Sequence, residues 1–351
     1  MLPKSSNRRP TQNDVAMSAG VSQATVSLVL NNVSKTNISE ETRQRVLKAI
    51  DELGYRPNTL ASSLRLGKTQ TLGLILPDSA NPFFAEVSRS IEAAAFEQDY
   101  NLILCNTEGN IEKERIYVDV LCNRQVDGII FVAVGDQADS LLRVLCKNVP
   151  VVMIDRDLPG LEVDAVLTDN RQGGYLATQH LIQLGHRRIG CIAGPSSVTP
   201  SARRGEGYLA ALAEHEIPAD EELLMRGDFH PHSGWEATRT MLALQEPPTA
   251  IFACNDLMAI GAVRAITEAG MRVPEDISLV GFDNIELVSY TNPPLTTVAQ
   301  PIQETGQMAV NFLVERIREP SLNFRRVILP TSLIVRNSSQ EKTLYSISTF
   351  R

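Results

Sequence analysis

A chain of 351 residues, 43% hydrophobic and 21% charged, is long enough for two or three domains with cores of their own and too apolar to remain disordered. Its net charge of −8 is unevenly spread: residues 1–68 hold ten Lys/Arg against five acidic residues, a local +5 that leaves −13 on the remainder. Such a basic head predicts contact with a polyanion through the head alone, the acidic body being held away by its own field.

No apolar run approaches the roughly 18 residues a membrane-spanning helix needs. The polar stretch from Lys4 to Arg9 has no apolar signal core behind it, so the expected location is cytoplasmic. Cys105, Cys122, Cys146, Cys191 and Cys254 are scattered without C-x-x-C or metal-like spacing, which predicts reduced thiols, no metal and no cofactor.

In chain order, Thr11 can cap a helix through Gln12–Ser18, broken at Ala19, Gly20 and Val21, and Ser22 can cap a second helix ending at Leu30. Ala24, Val26, Val29 and Leu30 are spaced for one buried face. Ser39 opens a third helix with Glu40 and Glu41 at its positive end, apolar Val46, Leu47, Ile50 and Leu53 at helical spacing, and Gly54 at its stop. Two helices around a short Gly-containing turn, closed by a third, form a helix-turn-helix pattern. Asn58 to Arg65 is a short amphipathic segment, too short to be helical unless docked. From Thr71 onward, apolar strands (Leu72–Leu76, Leu102–Cys105, Gly128–Val134, Val151–Ile154, Ile189–Ala193, Ala250–Ala253, Ser278–Gly281) alternate with amphipathic helices. That texture predicts buried parallel sheets in two doubly wound lobes with a cleft between them.

The run DVAMSAGVSQATVSLVLNN, followed by ISEETRQRVLKAIDELGYRPNTLASSLR, resembles the DNA-binding head and hinge of the LacI/GalR family of transcriptional regulators. Residues 70–337 resemble that family's α/β core, which is like periplasmic binding proteins. The resemblance implies an all-α helix-turn-helix head at 1–56, a hinge helix and linker at 57–69, and a two-lobed core at 70–337. The expected N-lobe is about 70–162 and 296–325, the C-lobe about 163–295 and 326–337, and 338–351 a flexible tail. It also implies a homodimer on palindromic operator DNA, with the second helix in the major groove. Gln23, Ala24 and Thr25 would face bases; Ser22 and Ser27 would serve phosphates or caps; Thr11, Asn31, Tyr55, Asn58 and Ala61 complete the expected contacts. Leu28 stands where the family carries a cation or His, which predicts an altered base preference. Leu64 matches the apolar lever that enters the minor groove, and Ser62 replaces an Arg common there.

A second set of residues sits mostly at strand ends, where α/β folds place ligands. Asn81, Phe83, Phe84, Asp155, Arg156, Arg204, Phe229, Asn255, Asp283 and Gln300 combine aromatics that can cover a ring with carboxylates and guanidinium groups that can bond its hydroxyls. The set is similar to the pocket of ribose-binding proteins and, within the family, of ribose-operon repressors, which implies a repressor controlled by ribose or another pentose. The alternatives are the same family with a purine or another sugar as co-repressor, or a solute-binding protein with the same core. Trp235 is expected in the core or the pocket wall, and His180 and His186 need no catalytic role. Neither a G-x-S-x-G elbow nor a phosphate loop is present, so no enzyme and no catalytic residues are expected.

Overall fold

The structure is a computed structural model that describes residues 10–30, 38–56, 68–135, 139–156, 158 and 160–342. It divides into two compact units, Met1–Thr69 and Gln70–Arg351. The expected contacts Asn31, Asn58, Ala61 and Leu64, together with Ser62, lie outside the described residues.

The first unit holds α1 (Gln12–Ala19), α2 (Gln23–Leu30) and α3 (Glu40–Leu53). Thr11 closes a reciprocal cap on α1: its backbone N and hydroxyl both donate to the Asp14 carboxylate, at 2.7 and 2.6 Å. Gly20 turns the chain out of α1 at φ 63°, a left-handed conformation that costs a glycine little. The three helices close on Val15, Ala16, Ala19, Val26, Val29, Val46 and Ala49. Two positions expected inside are outside. Ala24 is exposed and Leu47 is 43% exposed, because Ala49 takes the inward position on α3.

The second unit is built on two six-stranded sheets. The first contains β1 (Thr71–Leu76), β2 (Asn101–Asn106), β3 (Gly128–Phe131), β4 (Val151–Ile154), β5 (Asp164–Thr168) and β11 (Arg326–Leu329), in the order β11-β5-β4-β3-β1-β2. The second contains β6 (Ile189–Ala193), β7 (Leu224–Arg226), β8 (Ala250–Ala253), β9 (Ser278–Asp283), β10 (Thr296–Ala299) and β12 (Ser332–Ile334), in the order β12-β10-β9-β8-β6-β7. All pairings are parallel except that of β12 with β10. The crossover helices are α4 (Pro82–Glu97), α5 (Ile111–Asn123), α6 (Asp139–Cys146), α7 (Asn170–Gln183), α8 (Thr199–Glu214), α9 (Pro231–Leu242), α10 (Asp256–Glu268) and α11 (Ile302–Arg318). The fold is thus the expected pair of doubly wound lobes, with central strands buried from end to end.

The lobe boundaries differ from those expected. β5 pairs with β4 (Val152 opposite Asp164), so the first crossing follows Thr168 rather than residue 162. β10 pairs with β9 and belongs to the second lobe, whereas β11 pairs with β5 and belongs to the first. The chain therefore passes between lobes after β5, after β10 and between β11 and β12, and strand pairing, invisible to local hydropathy, decides each case. Residues 338–342, expected in a flexible tail, are bonded to the second lobe. Ser338 is fully buried, its hydroxyl accepting from Thr296 N at 2.7 Å and donating to Leu279 O at 2.6 Å, and Lys342 N donates to Leu184 O at 2.8 Å. His186 is one of the fasteners of this stretch, with Nε2 3.1 Å from Gln340 O, and His180 another, with Nε2 2.9 Å from Ser339 Oγ.

Helices α7 and α8 touch backbone to backbone. A Cβ on Gly174 would lie 2.1 Å from Arg204 O, and one on Gly207 2.1 Å from Arg171 O. Gly174→Ala is therefore expected to cost about 1–3 kcal/mol, the usual penalty of overpacking. Thermal or urea unfolding checks this, and an unchanged midpoint would mean that α7 and α8 part without cost.

Candidate functional site

In the first unit the surface of α2 is the candidate nucleic-acid interface. Ser22 caps the helix: its hydroxyl accepts from Thr25 N at 3.1 Å and lies 2.9 Å from Thr25 Oγ1. Both hydroxyls are thus engaged with each other; Thr25 is half-buried, next to the exposed side chains of Gln23 and Ala24. Ser27 and Leu28 are half-buried, and Tyr55 packs against the head core. The α2 sequence QATVSLVL carries no charge, so a cationic contribution must come from residues around it rather than from the helix.

In the second unit, Asn81, Phe83, Phe84, Asp155, Arg156, Arg204, Phe229, Asn255 and Asp283 line one chamber of about 40 Å³ between the lobes. It opens onto a mouth of about 440 Å³ that shares Asn81, Phe84, Arg156 and Phe229. Gln300 lines a smaller adjoining cavity of about 10 Å³ together with Phe83, Phe84 and Asp155, and donates from Nε2 to Asp283 Oδ1 at 2.8 Å. Val198 and Pro200, which sequence reasoning missed, complete the wall at the start of α8. They are apolar and follow β6 at its C-terminal end, the one signal that could have marked them.

Each polar member is fixed by neighbours. Asn81 caps α4 through Phe83 N at 3.0 Å. Asn255 caps α10 through Met258 N at 2.9 Å, and its amide donates to Phe229 O at 2.9 Å. Arg204 donates to Asn170 Oδ1 at 2.7 Å and Cys254 O at 2.6 Å, lies 3.4 Å from Asp283 Oδ1, and stacks 3.7 Å from the Phe282 ring centroid. Arg156 and Asp155 could have formed a mere surface pair, but Arg156 is buried and Asp155 largely so, their side chains 9% and 11% exposed. Phe83 and Phe84 meet edge to face at 5.0 Å and also serve the core. The Phe229 ring rests on Gly194, where a Cβ would come within 2.3 Å of it.

Strain and charge gather at the same place. Asp155, Phe229 and Asp283 take φ of 61°, 71° and 113°, sparsely populated conformations for such residues, and backbone strain of this kind clusters where side chains must be aimed. Burial raises the Asp155 carboxyl pKa against the pull of Arg156 and Arg204. Burial also raises Asp283 to about 7, opposed by Arg204 and Gln300 and reinforced by Asp155 and Glu86. Behind it, Asp256 is fully buried and raised by burial and by Asp283; it accepts from Ile285 N at 2.9 Å and from Thr297 Oγ1 at 2.6 Å, tying the strained 283–285 turn to β10.

These values predict a pH dependence. Between pH 3.8 and about 7 the folded Asp283 keeps a proton that the unfolded chain has released. The unliganded core therefore loses stability as pH rises through that window. Unfolding midpoints across pH 4–8 should show this component, and Asp283→Asn should remove it; a variant with an unchanged pH profile would contradict the assignment.

Trp235 is neither core nor pocket wall. It is half-buried on the α9–α10 surface, donating to Glu268 Oε2 at 2.7 Å and stacked on His232 at 5.4 Å. Among the described residues no group of His, Cys, Asp and Glu is arranged to hold a metal, and no helix is long and apolar enough to cross a membrane.

Residues 11–58 match the lacI family of bacterial regulatory proteins, and residues 178–339 match the periplasmic binding protein-like domain. The HTH-type transcriptional repressor PurR of Aliivibrio salmonicida (strain LFI1238) is 39% identical over 331 residues, covering 93% of this chain and 98% of its own. The lac repressor dimer bound to operator and the anti-inducer ONPF aligns with a TM-score of 0.84 and 31% identity, over 95% of this chain and 100% of that one. A LacI family transcriptional regulator from Enterococcus faecium, solved with bound ribose, aligns with a TM-score of 0.72 and 36% identity, over 78% of this chain and 100% of that one. The narrower likeness to ribose-operon repressors is not what the curated relatives bear out, since these are repressors named PurR.

Proposed function

Because the chain belongs to the lacI family of bacterial regulatory proteins, we propose that it switches genes by gripping operator DNA through its head while a small molecule between its lobes sets the strength of that grip. It is a DNA-binding transcriptional repressor with a small-molecule effector, not an enzyme. The observation that carries the effector half of the reading is the convergence of strained Asp155, Phe229 and Asp283 with buried Arg156 and Arg204 on one chamber.

In this reading Gln23, Ala24 and the Thr25 methyl meet base edges in the major groove, where an amide can bond adenine and a methyl can touch thymine. Basic residues nearby supply salt-sensitive attraction to phosphates. Two copies bind the two halves of a palindrome, and closure of the lobes on effector alters operator affinity through the hinge at 57–69. In this reading the protein acts on DNA in the cytoplasm.

For the effector, the same family with a purine or another sugar as co-repressor is the better supported reading, because the relatives compared are repressors named PurR. A co-repressor tightens operator binding. Ribose or another pentose, releasing DNA, is the second reading; it is favoured by the ribose-bound Enterococcus faecium regulator and by carboxylates and guanidinium groups suited to vicinal hydroxyls. A solute-binding protein is the weaker alternative, as it has no use for a head. A thermal-shift screen with purine bases, pentoses and hexoses separates these readings, since a tight ligand raises the melting temperature by mass action. A shift with none of them would refute the pocket assignment.

A further inference from the structure

We infer that Glu114, which does not line the chamber, is a positioning residue that aims Arg156 at the effector; this rests on the chamber being the effector site. Glu114 lies on α5 and is 1% exposed, a rare state for a carboxylate. Its Oε2 accepts from Val134 N at 2.7 Å, just past the end of β3. The carbonyls of Ala133 and Val134 in turn accept from Arg156 Nη1 at 2.7 and 2.6 Å. One short stretch of backbone is thus gripped from both sides, by a carboxylate on its N–H and by a guanidinium on its carbonyls.

Little else orients Arg156. Its Nε has no hydrogen-bond partner, and the nearest carboxylate oxygen, Asp155 Oδ2, is 3.8 Å away. The guanidinium plane is therefore set by two carbonyls, and those carbonyls are held by Glu114. Charge supports the same arrangement: burial weakens the hold of Arg156 on its proton, and Asp155 and then Glu114 restore it. Burial raises Glu114 as well, while Ser140, the Val134 amide and Arg156 oppose the rise. Groups that orient metal ligands from behind typically cost about tenfold or more in affinity when lost, and a carboxylate orienting a binding guanidinium is expected to act on the same scale.

The test uses the full-length chain with Glu114→Ala, Glu114→Gln, Arg156→Lys and the Glu114→Ala/Arg156→Lys double variant, titrated calorimetrically with D-ribose and with guanine. Glu114→Ala is expected to weaken whichever compound binds by about tenfold. Glu114→Gln, which keeps an acceptor for Val134 N–H, should recover most of the loss. The double variant should bind no worse than Arg156→Lys alone; additive losses, or a Gln variant as weak as Ala, overturn the inference. Without any ligand, deuterium uptake by peptides covering 132–134 should rise in Glu114→Ala and stay near the wild-type level in Glu114→Gln, and unchanged uptake in the Ala variant overturns it too. That uptake decides the positioning step by itself, whereas failure of both compounds to bind the unsubstituted chain counts against the effector assignment.

Discussion

Arg204→Met is expected to lower the stability of the core by about 3–5 kcal/mol, the cost of removing one partner from a buried ion pair, and to abolish the response to effector. The guanidinium is 4% exposed and serves four neighbours at once: Asn170, Cys254, Asp283 and the Phe282 ring. A methionine can keep the contact with Phe282 but leaves the Asn170 and Cys254 acceptors without their donor and Asp283 without its cation. Asp283 then takes a proton over a wider pH range, since Arg204 is the leading influence holding its pKa down against burial. Chemical denaturation reads the stability loss, and effector titration of operator binding reads the lost response. A variant of wild-type stability would show that Arg204 is not the buried keystone described above.

Removing residues 1–69 should lower specific operator affinity at least about a thousandfold, to the level of non-specific binding or below. The same truncation should leave effector binding within about twofold of the intact chain, a difference of less than about 0.5 kcal/mol. Every residue of the chamber belongs to the unit Gln70–Arg351, and the α2 surface proposed to meet bases belongs to the other. The remaining body carries the chain's acidic excess, which repels DNA at moderate salt. Electrophoretic mobility shift and calorimetry on the same preparation measure the two halves; operator binding by the truncated chain would remove the head from the account.

The head was readable from the sequence because its rules are local. Caps at Thr11 and Ser39 and stops at Gly20 and Gly54 each fall within one helical turn of the residues they serve. The chamber was readable in composition, through polar and aromatic residues at strand ends, yet its cause was not. That Asn255 holds Phe229, that Gly194 seats the same ring, and that Gln300 donates to Asp283 all join residues distant in sequence. The lobe boundaries failed for the same reason. β5, β10 and β11 are short strands whose membership is decided by which neighbour they bond, and β11 is partly exposed at a sheet edge, which weakens its apolar signature. Ser338 and Gln340 looked like the start of a tail because a polar stretch without periodicity reads as loose chain, whereas their bonds to Leu279, Ser278 and His186 bind them to the second lobe.

A molecule lodged between the lobes is proposed to govern the hold of the head on DNA. The most direct measurement is the anisotropy of a labelled palindromic duplex, selected from a random pool by the full-length protein, titrated at moderate ionic strength with and without purine bases and pentoses. A clear preference for the selected duplex over random DNA is expected, with a change of at least about tenfold in that affinity, roughly 1.4 kcal/mol of coupling, with one class of compound. No preference for any palindrome, or an affinity indifferent to every compound that shifts the melting temperature, would contradict it.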